Sequence, residues 1–187
     1  MIGASLARVY LTGGIRMDGP DGAFVDADLP GNQGRIAFVA LVCERRPISY
    51  DALADIVWGE QLPSNWKGAL AAVVSKIRSL VTAIGLDGRD VIYSSGGAYA
   101  FLLPARSWVD LEEAFLRLDR AEGAWRHDDH EATVRHATVA SSILRRPTLA
   151  GIDSRWAEEF QRRQADAHYR SLITLASAWN ALGDHPL

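Results

Sequence analysis

Over the first 28 residues, apolar and polar positions alternate in short bursts. The stretch Ala7 to Thr12 puts Val9 and Leu11 on one face, and Gly13-Gly14 and Asp18-Gly19-Pro20-Asp21-Gly22 read as turns. Short strands are predicted here. The segment's four aspartates, at 18, 21, 26 and 28, lack the alternate spacing and closing glutamate of a calcium loop, so they read as solvated turn residues.

The period then becomes helical. A first helix is predicted from Asn32 to Arg45 or Arg46, with Phe38, Leu41 and Val42 at helical spacing and Pro47 ending it. A second follows Ile48-Ser49, with Ser49 as its N-cap, Leu53, Ile56 and Val57 as its apolar stripe, and Trp58-Gly59 as its close. After a loop containing Pro63, a third helix is predicted from Ser64 or Asn65 to Ala83. Leu70, Val74, Ile77 and Val81 step by four, three and four along its inner face, and Gly85 stops it. The stretch from Val91 to Leu103 reads as a hairpin around Ser94-Ser95-Gly96-Gly97, and Pro104 ends this part.

From Val109 the pattern is purely helical. Leu111, Ala114, Phe115, Leu118, Ala121 and Trp125 form one stripe, with Asp110 as the expected N-cap and Glu112 and Glu113 suited to the helix dipole. A second stripe of Val134, Ala137, Ala140 and Leu144 runs from about Asp129 to Leu144, and Arg145-Arg146-Pro147 and Gly151 break it. A last helix from Asp153 or Ser154 to Leu182 carries Trp156, Phe160, Ala167, Leu175 and Trp179, and spans roughly 42 Å. Trp125, Trp156 and Trp179, lying on these stripes, are expected in the core or between helices, and Trp58 and Tyr99 in the core. Asp129-His130-Glu131-Ala132 and Asp184-His185-Pro186-Leu187 suggest stacked helix pairs, at a spacing longer than a tetratricopeptide repeat. The predicted fold is therefore mainly α with small β-sheets. It has two parts, residues 1–106 and 109–187. A partner helix for the last stripe should begin where the sequence stops, so the chain is expected to be a piece of a longer protein.

The 187 residues are 48% hydrophobic and 23% charged, with a net charge of −3, which excludes disordered and collagen-like classes. The longest strictly apolar run, Ile36 to Cys43, is far shorter than the roughly 20 residues of a membrane span. Cys43 is the one cysteine, so an internal disulfide is excluded, and it reads as a reduced thiol in a cytoplasmic protein. Charge is unevenly distributed: residues 29–106 hold eight basic and six acidic side chains, and the remainder carries the acid.

Three helices followed by a hairpin is the order of a winged helix-turn-helix. Its third helix must bury one face and offer the other to a major groove without acids against phosphate. Residues 64–83 carry Lys67, Lys76 and Arg78 and no Asp or Glu. Arg35, at the start of the first helix, is placed where it could hold a phosphate, and the Gly-Gly hairpin tip could reach a minor groove.

Residues 29–108 resemble the DNA-binding domain of the OmpR/PhoB type. The chain as a whole, from about residue 7, resembles the Streptomyces antibiotic regulatory proteins, whose winged helix precedes a bacterial transcriptional activation domain with tetratricopeptide-like helix hairpins. The residues that carry this are Gln33-Gly34-Arg35, the run Ile48 to Gly59, Leu62-Pro63-Ser64-Asn65-Trp66, Val74 to Leu80, Gly96-Gly97-Ala98-Tyr99, and Val109-Asp110-Leu111 with Phe115. The resemblance implies an activator that binds promoter direct repeats of double-stranded DNA as side-by-side protomers, through helix 64–83 and wing 91–103, and that contacts RNA polymerase. No cofactor is expected. The resemblance puts Lys67, Val73, Ser75, Lys76 and Arg78 on or near the DNA-facing side and Ser95 near the wing tip; base readout is expected to rest on Lys76, Ser75, Asn65 and Lys67, or on DNA shape. Trp66 either packs under the loop or meets DNA. Ala69, Ala72 and Val73 on that face can touch a thymine methyl but cannot hydrogen-bond a base edge.

Other chemistry finds less support. His127, His130 and His136 lack a third metal ligand on one face. The loop Gly31 to Gly34 lacks the Gly-Lys-Ser ending of a nucleotide loop. No Ser–His–Asp or paired-carboxylate arrangement points to an enzyme. The reading from a different class is a protein-interaction module, in which the alanine-rich face of the third helix packs on protein.

Overall fold

The computed structural model describes residues 7–44 and 46–183. The second Asp-His motif, at 184–187, and the predicted helix end at Arg45 lie outside them. Three strands open the chain: β1 (Arg8–Tyr10), β2 (Arg16–Gly19) and β3 (Gly22–Val25). They pair antiparallel, and β7 (Trp108–Val109) joins the other edge of β1 in parallel, with Val9 opposite Val109. A parallel pair needs a long crossover; here the crossover is the whole winged helix.

That crossover begins with α1 (Gly31–Cys43), which ends two or three residues before the predicted Arg45 or Arg46. Every residue from Ile36 to Val42 is buried. The helix is thus apolar all round, and it is enclosed by its neighbours rather than laid on a surface by one stripe. β4 (Ile48–Ser49) leads into α2 (Tyr50–Trp58), where the Ser49 hydroxyl accepts the Ala52 amide at 3.2 Å as the expected cap. α3 (Trp66–Ala83) starts one or two residues later than predicted, and its buried residues are Leu70, Val74, Ile77 and Val81.

Next comes a short helix that the sequence pattern does not show. In α4 (Gly88–Val91), Asp87 caps the end, accepting the Arg89 and Asp90 amides. Gly88 lies against the Arg78 carbonyl, where a Cβ has no room. β5 (Ile92–Ser95) and β6 (Ala98–Phe101) form the hairpin, and β4 adds to β6. Gly96 and Gly97 turn its tip with φ of 57° and 78°, a conformation that favours glycine.

Three helices complete the chain: α5 (Asp110–Arg126), α6 (His130–Leu144) and α7 (Arg155–Gly183). Asp129 caps α6 by accepting the Ala132 amide at 2.9 Å. Asp110 does not cap α5 as predicted, because Val109 is the cap residue and Asp110 lies inside the first turn. Its carboxylate is 1% exposed. One oxygen accepts the amides of Leu11 (2.9 Å) and Leu111 (2.7 Å); the other accepts the amide (3.0 Å) and hydroxyl (2.8 Å) of Thr12. This buried acid fastens the end of β1 to the start of the helical part.

A second polar clamp holds the α6–α7 loop. Gln164, 2% exposed, donates to the carbonyls of Leu144 and Arg146 and accepts the Thr148 amide. The loop in turn reaches the first sheet: the Gly13 amide donates to the Pro147 carbonyl, and Thr12 bridges Thr148.

α7 buries Ala157, Gln164, Ala167, Ser171 and Ala178. Trp156 and Phe160 are partly buried, and Trp125, 37% exposed, lies 5.2 Å from the His130 ring at the start of α6, as the between-helix alternative has it, but Trp179 is 59% exposed and lies outside the core. Tyr169, Leu172 and Ile173 are exposed with Trp179. Most buried positions of α7 are therefore small, and several of its large apolar residues face solvent.

Two expectations follow. Asp110→Ala leaves three buried donors on Leu11 and Thr12 without an acceptor and should cost about 3–5 kcal/mol in urea unfolding. Asp110→Asn should fall between it and wild type, and an unshifted Asp110→Ala midpoint would contradict the clamp. The second concerns His136, whose Nδ1 accepts from Arg117 at 3.1 Å, since a guanidinium can only donate. Partial burial, then the neighbouring Arg117, Arg120 and Arg135, hold its pKa below the ordinary 6.5. The neutral ring is the one the fold prefers. Its contribution is complete above the ordinary value and fades as pH falls through that value toward the lowered one. Melting between pH about 8 and about 5.5 should therefore drop less in His136→Gln than in wild type.

Candidate nucleic-acid interface

α3 turns its Leu70–Val81 stripe inward, and Lys67, Ala71, Ala72, Ser75, Lys76 and Ser79 lie exposed on its other side. No acid interrupts this surface. Lys67 sits 5.3 Å from the Trp66 ring centroid. Trp66 is partly buried against the core, and so is Val73, which leaves both with less open surface than the polar residues around them. Asn65 is exposed just before the helix, and its carbonyl accepts the Ala69 amide.

Arg78 is placed differently from the two lysines. Its Nε donates to the Ile92 carbonyl at 2.8 Å, an Nη reaches the Ser94 hydroxyl at 3.5 Å, and the guanidinium lies 5.6 Å from the Tyr99 ring. It is a strut between α3 and the hairpin, where phosphate contact is the sequence expectation. The signal is visible in hindsight: Arg78 falls four residues after Val74 and three before Val81, the spacing of the buried stripe.

Tyr99 extends the strut, packing on Tyr50 with ring centroids 4.5 Å apart, while the Tyr50 amide donates to the Gly97 carbonyl at the hairpin tip. Burial, then Tyr50, raises the Tyr99 hydroxyl above its ordinary 10.0, so it stays protonated. Ser95 sits exposed beside the tip, opposite Ala98. The structure thus brings Asn65, Trp66, Lys67, Val73, Ser75, Lys76 and Arg78 onto one helix and its start, and fixes the wing bearing Ser95 against it.

Arg35 is not part of this group. One Nη pairs with Asp26 at 2.9 Å, Nε donates to the Asp26 carbonyl at 3.4 Å, and the other Nη reaches Asn32 at 3.4 Å. These contacts hold it to the turn after β3. The histidines also have local roles: the His130 ring lies 5.2 Å from Trp125, and His136 meets Arg117. Among the described residues, no cluster of three or more His, Cys, Asp or Glu is placed to hold a metal ion, and no helix is long and apolar enough to cross a membrane.

No family model matches the chain, and no curated protein matches it. Among solved structures, Mycobacterium tuberculosis EmbR, in complex with a low affinity phosphopeptide, is similar with a TM-score of 0.79 and 24% identity, over 96% of this chain and 47% of that one. The chain therefore spans about half the length of that structure. The likeness shows the fold, a winged helix followed by a helical domain with small sheets.

Proposed function

We propose that the chain is a DNA-binding transcriptional regulator of the Streptomyces antibiotic regulatory type. Residues 1–106 act as the DNA-reading part and 109–187 as the activation part. It acts in the cytoplasm as an activator, as protomers on promoter direct repeats in contact with RNA polymerase. The observation that carries this is an acid-free helix face with Lys67, Ser75 and Lys76 open to solvent, held beside a fixed wing. Lys67 and Lys76 supply phosphate contacts, Ser75 and Asn65 reach base edges, and Ser95 approaches the adjacent groove. The exposed alanines offer no donors, so shape readout contributes to specificity. Arg78 acts by positioning the wing.

A protein-interaction role is the second reading. It is favoured by Ala71 and Ala72 on the same face and by the exposed Tyr169, Leu172, Ile173 and Trp179 on α7.

The test is a salt-titrated gel shift on duplexes selected from a random-sequence pool. Lys67→Ala and Lys76→Ala should each flatten the slope of log affinity against log salt by about 0.9. Arg78→Ala should weaken binding at all salts and loosen the hairpin, seen as faster amide exchange at Ile92 to Phe101. Wild-type affinity and slope in the double lysine variant would overturn the proposed helix. Failure to retain any duplex at low salt would favour the interaction module.

A further inference from the structure

We propose that the cavity between the end of α1, the start of α5 and α7 is a binding site for a small aromatic carboxylate. Its volume is about 200 Å³. An apolar cavity on the order of 150 Å³ accepts a benzene ring, so this one fits a single substituted ring and is too small for a helix.

Val42 and Leu111 form its apolar base, with Phe115 at the side. Trp156 and Phe160 also line the cavity, stacked on one another with ring centroids 5.2 Å apart and planes at 28°, and give it an aromatic side. Gln164 also lines the cavity, but its amide is spent on the α6–α7 loop. The polar group that recognises a ligand must therefore come from the mouth.

Three charged residues stand there. Glu44 is paired with Arg46 at 3.5 Å, and Glu112 is also engaged. Arg163 lies over the Phe160 ring at 5.8 Å and, among the described residues, pairs with no carboxylate. Arg163 is the cation of the three, and its guanidinium can take a carboxylate in a two-pronged contact. A ring among these aromatic side chains and a carboxylate on Arg163 satisfy both features at once. The site draws on α1, α5 and α7, so its occupant touches the winged-helix and helical parts together.

The test uses the purified chain with 3-phenylpropionate and its neutral counterpart 3-phenylpropan-1-ol. The readout is the indole N–H resonance of Trp156, assigned with Trp156→Phe. The carboxylate should shift this resonance saturably and bind more tightly than the alcohol. Arg163→Gln, a change at an exposed position, should weaken the carboxylate by about tenfold or more and leave the alcohol unchanged. Phe115→Trp, at the partly open side, should weaken both. Three results would each overturn the site: no saturable shift with the carboxylate, equal carboxylate affinity in wild type and Arg163→Gln, or an alcohol that binds as tightly as the acid.

Discussion

The buried carboxylate of Asp110 is the contact on which the arrangement of the two parts depends. Its four donors come from residues 11, 12 and 111, and the first two are 99 and 98 positions away in sequence. The amides of Leu11 and Thr12 lie just past the end of β1, and Thr12 is buried, so they need an acceptor from elsewhere in the chain. Asp110 supplies it from the first turn of α5, immediately after β7 has paired with β1. The winged helix is thus an excursion whose two ends meet at one side chain.

Gln164 plays the corresponding role at the α6–α7 loop. An apolar contact between α6 and α7 tolerates sliding by a fraction of a turn, whereas an amide with three fixed partners does not. Because the loop held by Gln164 also meets Gly13 and Thr12, the two clamps converge on the same turn of the first sheet. Buried polar groups of this kind add little net stability when satisfied and cost heavily when half-satisfied, so they select one packing among several of similar apolar burial.

What was legible in the sequence follows from this. The stripe of α3 and the caps of α2 and α6 are local: Leu70 to Val81 repeat at helical spacing, and Ser49 and Asp129 meet amides three residues on. α4 spans four residues and shows no period at that length. Asp110 reads as a cap because aspartate before an apolar stripe is one in most helices; its distant partners leave no trace near it. α7 shows the limit of stripe reading. Its predicted stripe is buried at Ala167 and partly buried at Trp156, Phe160 and Leu175 but exposed at Trp179, while the other buried positions include the small residues Ala157, Ser171 and Ala178, which the stripe omits. Size and hydrophobicity point to burial only where the neighbour leaves room.

The same reasoning narrows the candidate interface. Counted along the sequence, α3 offers three positive charges; in the structure one of them is spent on the hairpin. That expenditure fastens the wing to the helix, and under the proposed function a two-part reader of a duplex needs that spacing fixed more than it needs another phosphate contact. A free guanidinium contributes to affinity in proportion to its local field, which salt screens. One bound to the Ile92 carbonyl and laid on Tyr99 keeps its geometry at any salt. The open charge of the helix is then two lysines flanking small side chains, a surface that tolerates close approach and says little about base identity. Any specificity on this face must come from the few polar groups at its ends and from the shape of the partner that fits between helix and wing.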